Sequence, residues 1–259
     1  MADAADHTLA ADLVAAAGEL LLDLRARLQA EGADLATIKD RGDAAAHALL
    51  MERLAAARPD DPVLSEESAA AQAAEMDAAR AAAERVWIID PLDGTREYGE
   101  GRDDWAVHVA LAEDGRPTAG AVALPAAGLV LSTARPPVLP PAHGGAPRVL
   151  VSRSRPPVEA EGVARALGGE LVPMGSAGAK AMAVVRGLGD VYPHSGGQYE
   201  WDNCAPVAVA RAAGLHCSRL DGGELRYNRP DPYLPDLLVC RPELVAATLA
   251  TLRRIHEPE

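Results

Sequence analysis

The sequence predicts an α/β fold, and two patterns support this prediction. Helix-type and strand-type apolar spacings follow each other in the first half of the chain, and strands alternate with helices in the second half. The chain has 259 residues, of which 49% are hydrophobic, so it is long enough to bury a sizeable core. Because only 3% of the residues are aromatic and Phe is absent, Ala, Val and Leu must fill that core.

Charge and composition exclude several classes of protein. The formal net charge is −13, so the chain lacks the basic face that binding to a nucleic-acid polymer requires. No apolar stretch reaches the roughly 18 residues of a membrane span, and residues 1–9 lack the basic start of a secretory signal. Cys204, Cys217 and Cys240 show no metal-ligand spacing and are expected to be reduced thiols. We therefore expect a cytoplasmic protein whose partners are neither nucleic-acid polymers nor membranes.

The N-terminal part is predicted to contain helices that lead into a buried strand. Two amphipathic helices come first, followed by a short strand that runs into two carboxylates, an Ala-rich surface helix and a strand buried on both faces. Their predicted bounds are 9–32, 43–59, 62–66, 69–85 and 86–89. An antiparallel meander is expected next, with strands at 105–111, 118–124 and 129–133 and a turn at 113–115.

A segment rich in Pro and Gly, residues 135–147, marks a boundary because few regular elements tolerate that composition. We expect an N-terminal α+β subdomain over 1–145 and a C-terminal α/β subdomain over 146–259. Alternating strands and helices define the second subdomain. Its predicted strands are 148–152, 189–192 and 237–240, and its predicted helices are 158–167, 177–186, 201–213 and 244–255.

The most informative segment is Trp-Ile-Ile-Asp-Pro-Leu-Asp-Gly-Thr, residues 87–95. The buried strand delivers Asp90 at its end, and Pro91 is expected to stop the strand so that Asp93 turns back toward Asp90. The Leu92 carbonyl would lie between two carboxylates, an oxygen cage that suits Mg²⁺ better than Zn²⁺. Gly94 and Thr95 would then open a short helix whose N–H groups face a phosphate. The alternative is a simple turn after a core strand, because Asp, Pro and Gly all favour turns.

Further acids occur at the ends of other predicted elements. Glu66 and Glu67 follow the short strand, where a solvated surface charge is the alternative role. Asp202 stands at the head of an apolar helix, where it could equally serve as an N-cap.

The order of these acids resembles a known family. A Glu-Glu pair, then Trp-Ile-Ile-Asp-Pro-Leu-Asp-Gly-Thr, then Trp-Asp before a helix of small residues is similar to the inositol-monophosphatase-like, lithium-inhibited, Mg²⁺-dependent phosphatases. The resemblance extends from about Asp43 to Gly214. It implies a layered α/β/α/β/α sandwich of the inositol monophosphatase or sugar phosphatase type. Homodimers are common in this superfamily, so a homodimer is expected here.

The resemblance also implies a set of roles around two or three Mg²⁺ ions, with inhibition by Li⁺. Thr95 would orient and activate the attacking water, and Glu66 or Asp43 would accept its proton. One ion would lower the pKa of that water and another would neutralise the leaving oxygen. The implied metal ligands are Glu66, Asp90, the Leu92 carbonyl, Asp93, Asp202 and, at a third metal, Asp43. The implied phosphate-lining residues are Leu92, Asp93, Gly94, Thr95 and Asp202.

One departure from the family pattern concerns Asp43. The family approaches its first acid through Val-Thr-x-Ala-Asp, whereas residues 39–43 read Lys-Asp-Arg-Gly-Asp. Asp43 precedes Glu66 by 66 − 43 = 23 residues, a separation that fits the family. The alternative role for Asp43 is an N-cap for the helix that follows it.

Residues after the central motif resemble one branch of the superfamily. Thr95 is followed by Arg96-Glu97-Tyr98, similar to the 3'(2'),5'-bisphosphate nucleotidases, whereas inositol monophosphatases usually show Thr-Asn. Residues 189–193, Gly-Asp-Val-Tyr-Pro, also resemble that branch. The branch implies hydrolysis of the 3'-phosphate of adenosine 3',5'-bisphosphate (PAP), and of the sulfated analogue PAPS, in sulfur assimilation. The alternatives are inositol 1-phosphate or fructose 1,6-bisphosphate hydrolysis on the same metals, or a PAP-binding protein without turnover.

The substrate side is predicted from a helix start and a loop. Gly-Ser-Ala-Gly-Ala-Lys at 175–180 resembles a Gly-Ser-Ser-Leu-Lys region of the nucleotidases, with one residue more. Ser176, Ala177 and Lys180 would meet a ribose or a second phosphate through free amides and charge, the alternative being a simple helix start. Gln198 is expected to contribute to selectivity. His108 alternates within a strand and is expected to be structural.

Overall fold

The chain folds into helices and two five-stranded sheets, and a computed structural model describes residues 1–69 and 74–257 of it. The elements up to the end of the first sheet are α1 (Ala4–Ala30), α2 (Leu35–Ala57), β1 (Val63–Ser65), α3 (Glu66–Ala69), α4 (Ala74–Ala81), β2 (Arg85–Asp93), α5 (Thr95–Gly99), β3 (Ala106–Glu113), β4 (Arg116–Leu124) and β5 (Leu129–Ser132). Those after it are β6 (Arg148–Ser152), α6 (Val158–Leu167), β7 (Glu170–Met174), α7 (Ala177–Val185), β8 (Val191–Tyr199), α8 (Glu200–Ala212), β9 (His216–Ser218), β10 (Tyr233–Cys240) and α9 (Val245–His256).

These elements stack in five layers, as the α/β/α/β/α prediction requires. The first sheet has the order β1-β2-β3-β4-β5, with only the β1–β2 pair parallel. The second has the order β7-β6-β8-β10-β9, in which β6 is parallel to β7 and β8. α1 and α2 cover the outer face of the first sheet, α7 and α8 lie between the sheets, and α6 and α9 cover the second sheet. The predicted fold class is confirmed.

Most predicted elements are present, and the exceptions have physical reasons. The second helix begins at Leu35 instead of Asp43, because the Asp34 carboxylate caps it by accepting the Thr37 N–H at 2.7 Å. Gly42 lies inside this helix, where a Cβ would come within 2.7 Å of the Tyr98 ring. The predicted surface helix over 69–85 is present as α4, while residues 70–73 lie outside the described part of the chain.

The strand that carries the acidic motif is longer than predicted. β2 continues through Pro91 to Asp93, so the expectation that Pro91 ends the strand was wrong. The pairing of β2 with β3 shifts register between Asp90 and Asp93, and an irregular position of this kind tolerates the missing N–H of proline. β7 and β9 were not predicted. They are short and lie at the two edges of the second sheet, where hydrophobic patterning is weak.

Among the described residues, no helix is long and apolar enough to cross a membrane.

The close packing of α8 on the first sheet depends on small residues. A Cβ placed on Gly120 of β4 would lie 2.8 Å from the Ala208 Cβ and 3.4 Å from the Ala205 Cα, both on α8. Because α8 also carries Asp202 near its N-terminus, this contact fixes how far Asp202 stands from the first sheet.

Gly120→Val is expected to lower the free energy of unfolding by about 1 to 3 kcal/mol, since overpacking a close contact forces backbone shifts. Urea denaturation measures this change. Arg116→Val, at the exposed start of the same strand, is the matched control and should stay within about 0.5 kcal/mol of the wild type. Equal effects of the two substitutions would refute the packing argument.

Candidate active site

Two acids of the site come from the end of β2. Asp90 is 1% exposed and accepts the Leu92 N–H at its Oδ1, at 3.0 Å. Gly94 follows with φ 88°, a left-handed conformation that suits glycine, and opens the short helix α5 as predicted. The hydroxyl of Thr95 donates to the Leu92 carbonyl at 3.2 Å. The end of β2, where its pairing with β3 shifts register, therefore carries both Asp90 and Asp93, and the Leu92 carbonyl between them is bound by Thr95.

The third acid comes from the other side of the fold. Asp202 lies in the first turn of α8, and its Oδ2 accepts the backbone N–H of Tyr199 at 2.6 Å. Tyr199 is the N-cap residue, so Asp202 caps the helix from within its first turn. Oxygen atoms of Asp90, Asp93 and Asp202 lie within 4.8 Å of one another. The cap interaction thus leaves Asp202 able to join the cluster.

Asp93 is held by the N-terminus of α7. Its Oδ2 accepts the Ser176 hydroxyl at 2.5 Å and the Gly178 N–H at 2.6 Å, and its Oδ1 accepts the Ala177 N–H at 3.1 Å. Burial would raise the pKa of Asp93, but the proximity of His108 and the hydrogen bonds from α7 lower it to about 2. Asp93 therefore stays ionised despite its burial.

Burial and mutual repulsion raise the pKa values of Asp90 and Asp202. Burial, followed by the charges of Glu66, Asp93 and Asp202, raises the pKa of Asp90 well above its usual range. Burial and the charge of Asp93 raise the pKa of Asp202 to about 6. Carboxylates that converge and have raised pKa values lack a compensating positive charge. An all-oxygen set of this kind fits a hard divalent cation.

Glu66 and Asp43 approach the same cluster from the helical side. Glu66 keeps contact with solvent, yet desolvation in the cleft and the charges of Asp202 and Asp43 raise its pKa. Burial and the charge of Glu67 raise the pKa of Asp43 to about 7, and its Oδ1 is buried without a hydrogen-bond partner among the residues that the structure describes. Asp43 lies in the middle of α2, so its alternative role as an N-cap is excluded.

A cleft of about 260 Å³ opens beside Asp93 and Asp202. The predicted substrate-side residues Ser176, Ala177, Lys180 and Gln198 all line it, together with Gly94. Within the protein these groups already have partners, because Ser176 and Ala177 bind Asp93 as described. The Lys180 ammonium donates to the Ser176 carbonyl at 2.6 Å and to the Gly175 carbonyl at 3.3 Å. Lys180 thus supports the loop that holds Asp93.

Gln198 is part of a buried chain of polar groups. Its Nε2 donates to the Tyr192 hydroxyl at 3.1 Å, and its Oε1 accepts from Asn203 Nδ2 at 3.0 Å. The Tyr227 hydroxyl donates to Asn203 Oδ1 at 2.9 Å. Both ends of the Gln198 amide are therefore occupied within the protein, and Gln198 and Tyr192 both line the cleft.

Two further residues lie close to the site: His108, which the sequence analysis expected to be structural, and Arg153, which it did not single out. His108 is fully buried and lies 3.3 Å, through Nε2, from Asp93 Oδ2. Arg153, which follows β6, pairs with Glu97 at 2.8 Å and with Glu100 at 2.8 Å, so it links α5 to the second sheet. A lone His in a strand and an Arg after a strand carry no distinctive pattern, so only the fold could place them here.

Three acids gathered between two sheets of a five-layer α/β sandwich define a class of metal-dependent phosphate-ester hydrolases, and the sequence comparison agrees with that class. The sequence profile of the inositol monophosphatase family matches residues 5–136 and 147–257. The chain belongs to the inositol monophosphatase family.

Individual relatives within the family carry names that specify a substrate. The chain is 48% identical to the Mycobacterium leprae protein named 3'-phosphoadenosine 5'-phosphate phosphatase, over 99% of this chain and 96% of the relative. It is 31% identical to the Escherichia coli protein named 3'(2'),5'-bisphosphate nucleotidase CysQ, over 74% of this chain and 80% of the relative. Among solved structures, CysQ from Bacteroides thetaiotaomicron matches with a TM-score of 0.75 and 25% identity, covering 92% of this chain and 97% of that one.

The raised pKa values predict how the stability of the metal-free protein depends on pH. In the folded state Asp202 and Asp43 have pKa values of about 6 and about 7, above those of an unfolded chain. The folded protein therefore binds more protons, and its free energy of unfolding should fall as the pH rises from about 5 to about 8. Thermal denaturation in a chelator measures this fall, and saturating Mg²⁺ should remove it. A metal-free stability that rises over the same pH range would contradict the cluster described above.

Asp90→Asn is expected to separate stability from activity. The amide oxygen can still accept the Leu92 N–H, while the opposing charge is lost, so the metal-free free energy of unfolding at pH 8 should rise by about 0.5 to 2 kcal/mol. Phosphatase activity and the stabilisation by Mg²⁺ should both be lost. Urea denaturation with and without Mg²⁺ measures the two effects, and unchanged activity would disprove a metal-binding role for Asp90.

Proposed function

We propose that the protein is a Mg²⁺-dependent phosphatase that hydrolyses the 3'-phosphate of PAP to give AMP and phosphate, as part of sulfur assimilation. The observation that carries this proposal is the cluster of Asp90, Asp93 and Asp202, found in a chain that is similar along its whole length to a phosphatase named for this substrate. PAPS, which has the same 3'-phosphate, is proposed as a further substrate.

The residues present fit the magnesium that the family requires in general. We propose that Asp90, Asp93 and Asp202 hold one ion, and that Glu66, Asp90 and the Leu92 carbonyl hold a second. Asp43, whose buried Oδ1 has no partner within the described residues, is proposed to complete a third site near Glu66. Bound magnesium would supply a water of lowered pKa and a charge that neutralises the leaving oxygen.

The chain's own groups are proposed to position the reactants. The Thr95 hydroxyl donates to the Leu92 carbonyl, which leaves its oxygen free to accept a hydrogen bond from a water molecule. We propose that this contact orients the water, and that Glu66 or Asp43 accepts its proton. Gly94 brings the backbone close to the phosphate, and in-line attack then depends mainly on orientation.

The leaving alcohol is proposed to lie in the cleft on the side of Lys180, Gln198 and Tyr192. Lys180 is 5% exposed, and its ammonium adds positive charge beside Asp93 and Asp202. Part of the negative charge of a bisphosphate would be balanced there. The metal ligands of β2 come from residues 1–145, whereas Asp202, Ser176 and Lys180 come from 146–259. We therefore propose these two parts as subdomains that close one cleft.

Phosphate release from PAP, inositol 1-phosphate and fructose 1,6-bisphosphate, each with Mg²⁺ and with Mg²⁺ plus Li⁺, tests the proposal. We expect PAP to be preferred by about a hundredfold in kcat/KM, equivalent to about 2.7 kcal/mol of transition-state discrimination. Li⁺ should inhibit the reaction. Comparable rates on all three substrates would replace the proposal with a broad sugar phosphatase, and tight PAP binding without phosphate release would replace it with a binding protein.

A further inference from the structure

A single buried imidazole touches all three segments that carry the clustered acids. His108 stands directly opposite Asp90 in the β2–β3 pairing, and its Nδ1 lies 3.9 Å from Asp90 Oδ2. The same Nδ1 is 3.1 Å from the backbone carbonyl of Trp201, the residue before Asp202. Its Nε2 is 3.3 Å from Asp93 Oδ2. No other residue contacts the segments of Asp90, Asp93 and Asp202 in this way within the described hydrogen bonds and ion pairs.

The orientation of this ring is fixed by one hydrogen bond and by close packing, since Nε2 is buried beside Asp93 without a hydrogen-bond partner among the described residues. A carbonyl oxygen can only accept, so Nδ1 donates its hydrogen to Trp201 and points the Nε2 edge toward Asp93. Gly178 of α7 lies next to Nε2, so close that a Cβ on this glycine would overlap the Nε2 atom. The ring is therefore held between β2, α7 and α8, and α7 is the helix whose N-terminus binds Asp93.

We infer that His108 is a positioning residue that sets the separation of Asp93 and Asp202, and thereby the affinity of the site for a divalent cation. The two carboxylates belong to different halves of the fold, and His108 is fully buried at the junction. Groups behind metal ligands commonly change metal affinity by about 10- to 100-fold when they are replaced. The inference rests on the metal-binding part of the proposed function and concerns no residue that contacts the substrate.

Binding of Mn²⁺ alone, without substrate, tests the inference by calorimetry or electron paramagnetic resonance. His108→Leu is expected to weaken Mn²⁺ binding by about 10- to 100-fold. His108→Asn, which can still donate to the Trp201 carbonyl, should lose less. His216→Leu is the matched control, since that histidine lies on the edge strand β9 with Ser218 as its partner, and its affinity should equal that of the wild type.

A double-mutant cycle with Gly178 separates positioning from general loss of structure. Gly178→Ala keeps the N–H that binds Asp93 and adds a better helix former, so helix propensity favours the variant. Its methyl group should displace the His108 ring and weaken Mn²⁺ binding. In a His108→Ala background the same substitution should have no further effect, because the contact is gone. This cycle remains informative if His108→Leu fails to fold.

The outcomes distinguish this inference from the proposed function. Mn²⁺ affinities of His108→Leu and Gly178→Ala within twofold of the wild type would overturn the inference even if the wild type hydrolyses PAP. Equal effects of Gly178→Ala in both backgrounds would also overturn it. The third outcome is that the wild type binds Mn²⁺ and the variants bind it more weakly as described, but the wild type releases no phosphate from any substrate. That result would refute the proposed function alone.

Discussion

The mutual repulsion of Asp90, Asp93 and Asp202 is the constraint on which the rest of the structure depends. Three carboxylates with oxygens within 4.8 Å of one another would separate in a flexible chain. They stay together because each carboxylate accepts hydrogen bonds from a different part of the rigid fold. Asp90 accepts a backbone N–H within β2, Asp93 is bound by the N-terminus of α7, and Asp202 caps α8. The fold provides the separation, and a cation would provide the missing positive charge.

The protein directs its own hydrogen-bond donors and a positive helix end at Asp93. The N-terminus of α7 presents three hydrogen bonds to this carboxylate, and the helix dipole adds to them. Lys180, one turn further along α7, braces the carbonyls of the loop that precedes the helix. The proximity of His108 and the hydrogen bonds from α7 outweigh burial and lower the pKa of Asp93 to about 2, whereas burial and the neighbouring carboxylates raise the pKa of Asp90. A cation that binds the cluster would relieve the repulsion among carboxylates that the protein itself compensates unequally.

The sequence indicated which acids meet, and the structure brings their oxygens within 4.8 Å of one another, whereas their role as metal ligands stays a prediction. Asp90, Asp93 and Asp202 each stand at the end of a strongly patterned element, so the element itself brings the acid to the junction of the layers. The contacts of His108 and Gly178 join elements that lie far apart in the chain, and no local spacing encodes such contacts. Lys180, by contrast, was predicted for the substrate side, and it donates to the carbonyls of Gly175 and Ser176 in its own segment. Asp43 illustrates the opposite error. Its alternative role as an N-cap went with a predicted helix start at residue 43, but the helix begins at Leu35 and continues through Gly42, which lies against Tyr98 of α5.

Arg96 and Glu97, the residues that led the sequence toward the nucleotidase branch, have different surroundings. Arg96 lies on the surface and pairs with Glu100, whereas Glu97 is buried and pairs with Arg153 from the second half of the chain. A Cβ on Gly175 would overlap the Glu97 side chain, so Glu97 also packs against the loop that leads into α7. Glu97 therefore joins α5 to Arg153 and to the loop before α7. Because that loop binds Asp93 and Glu97 itself lines the cleft, Glu97 contributes to the shape of the cleft both directly and through the position of α7.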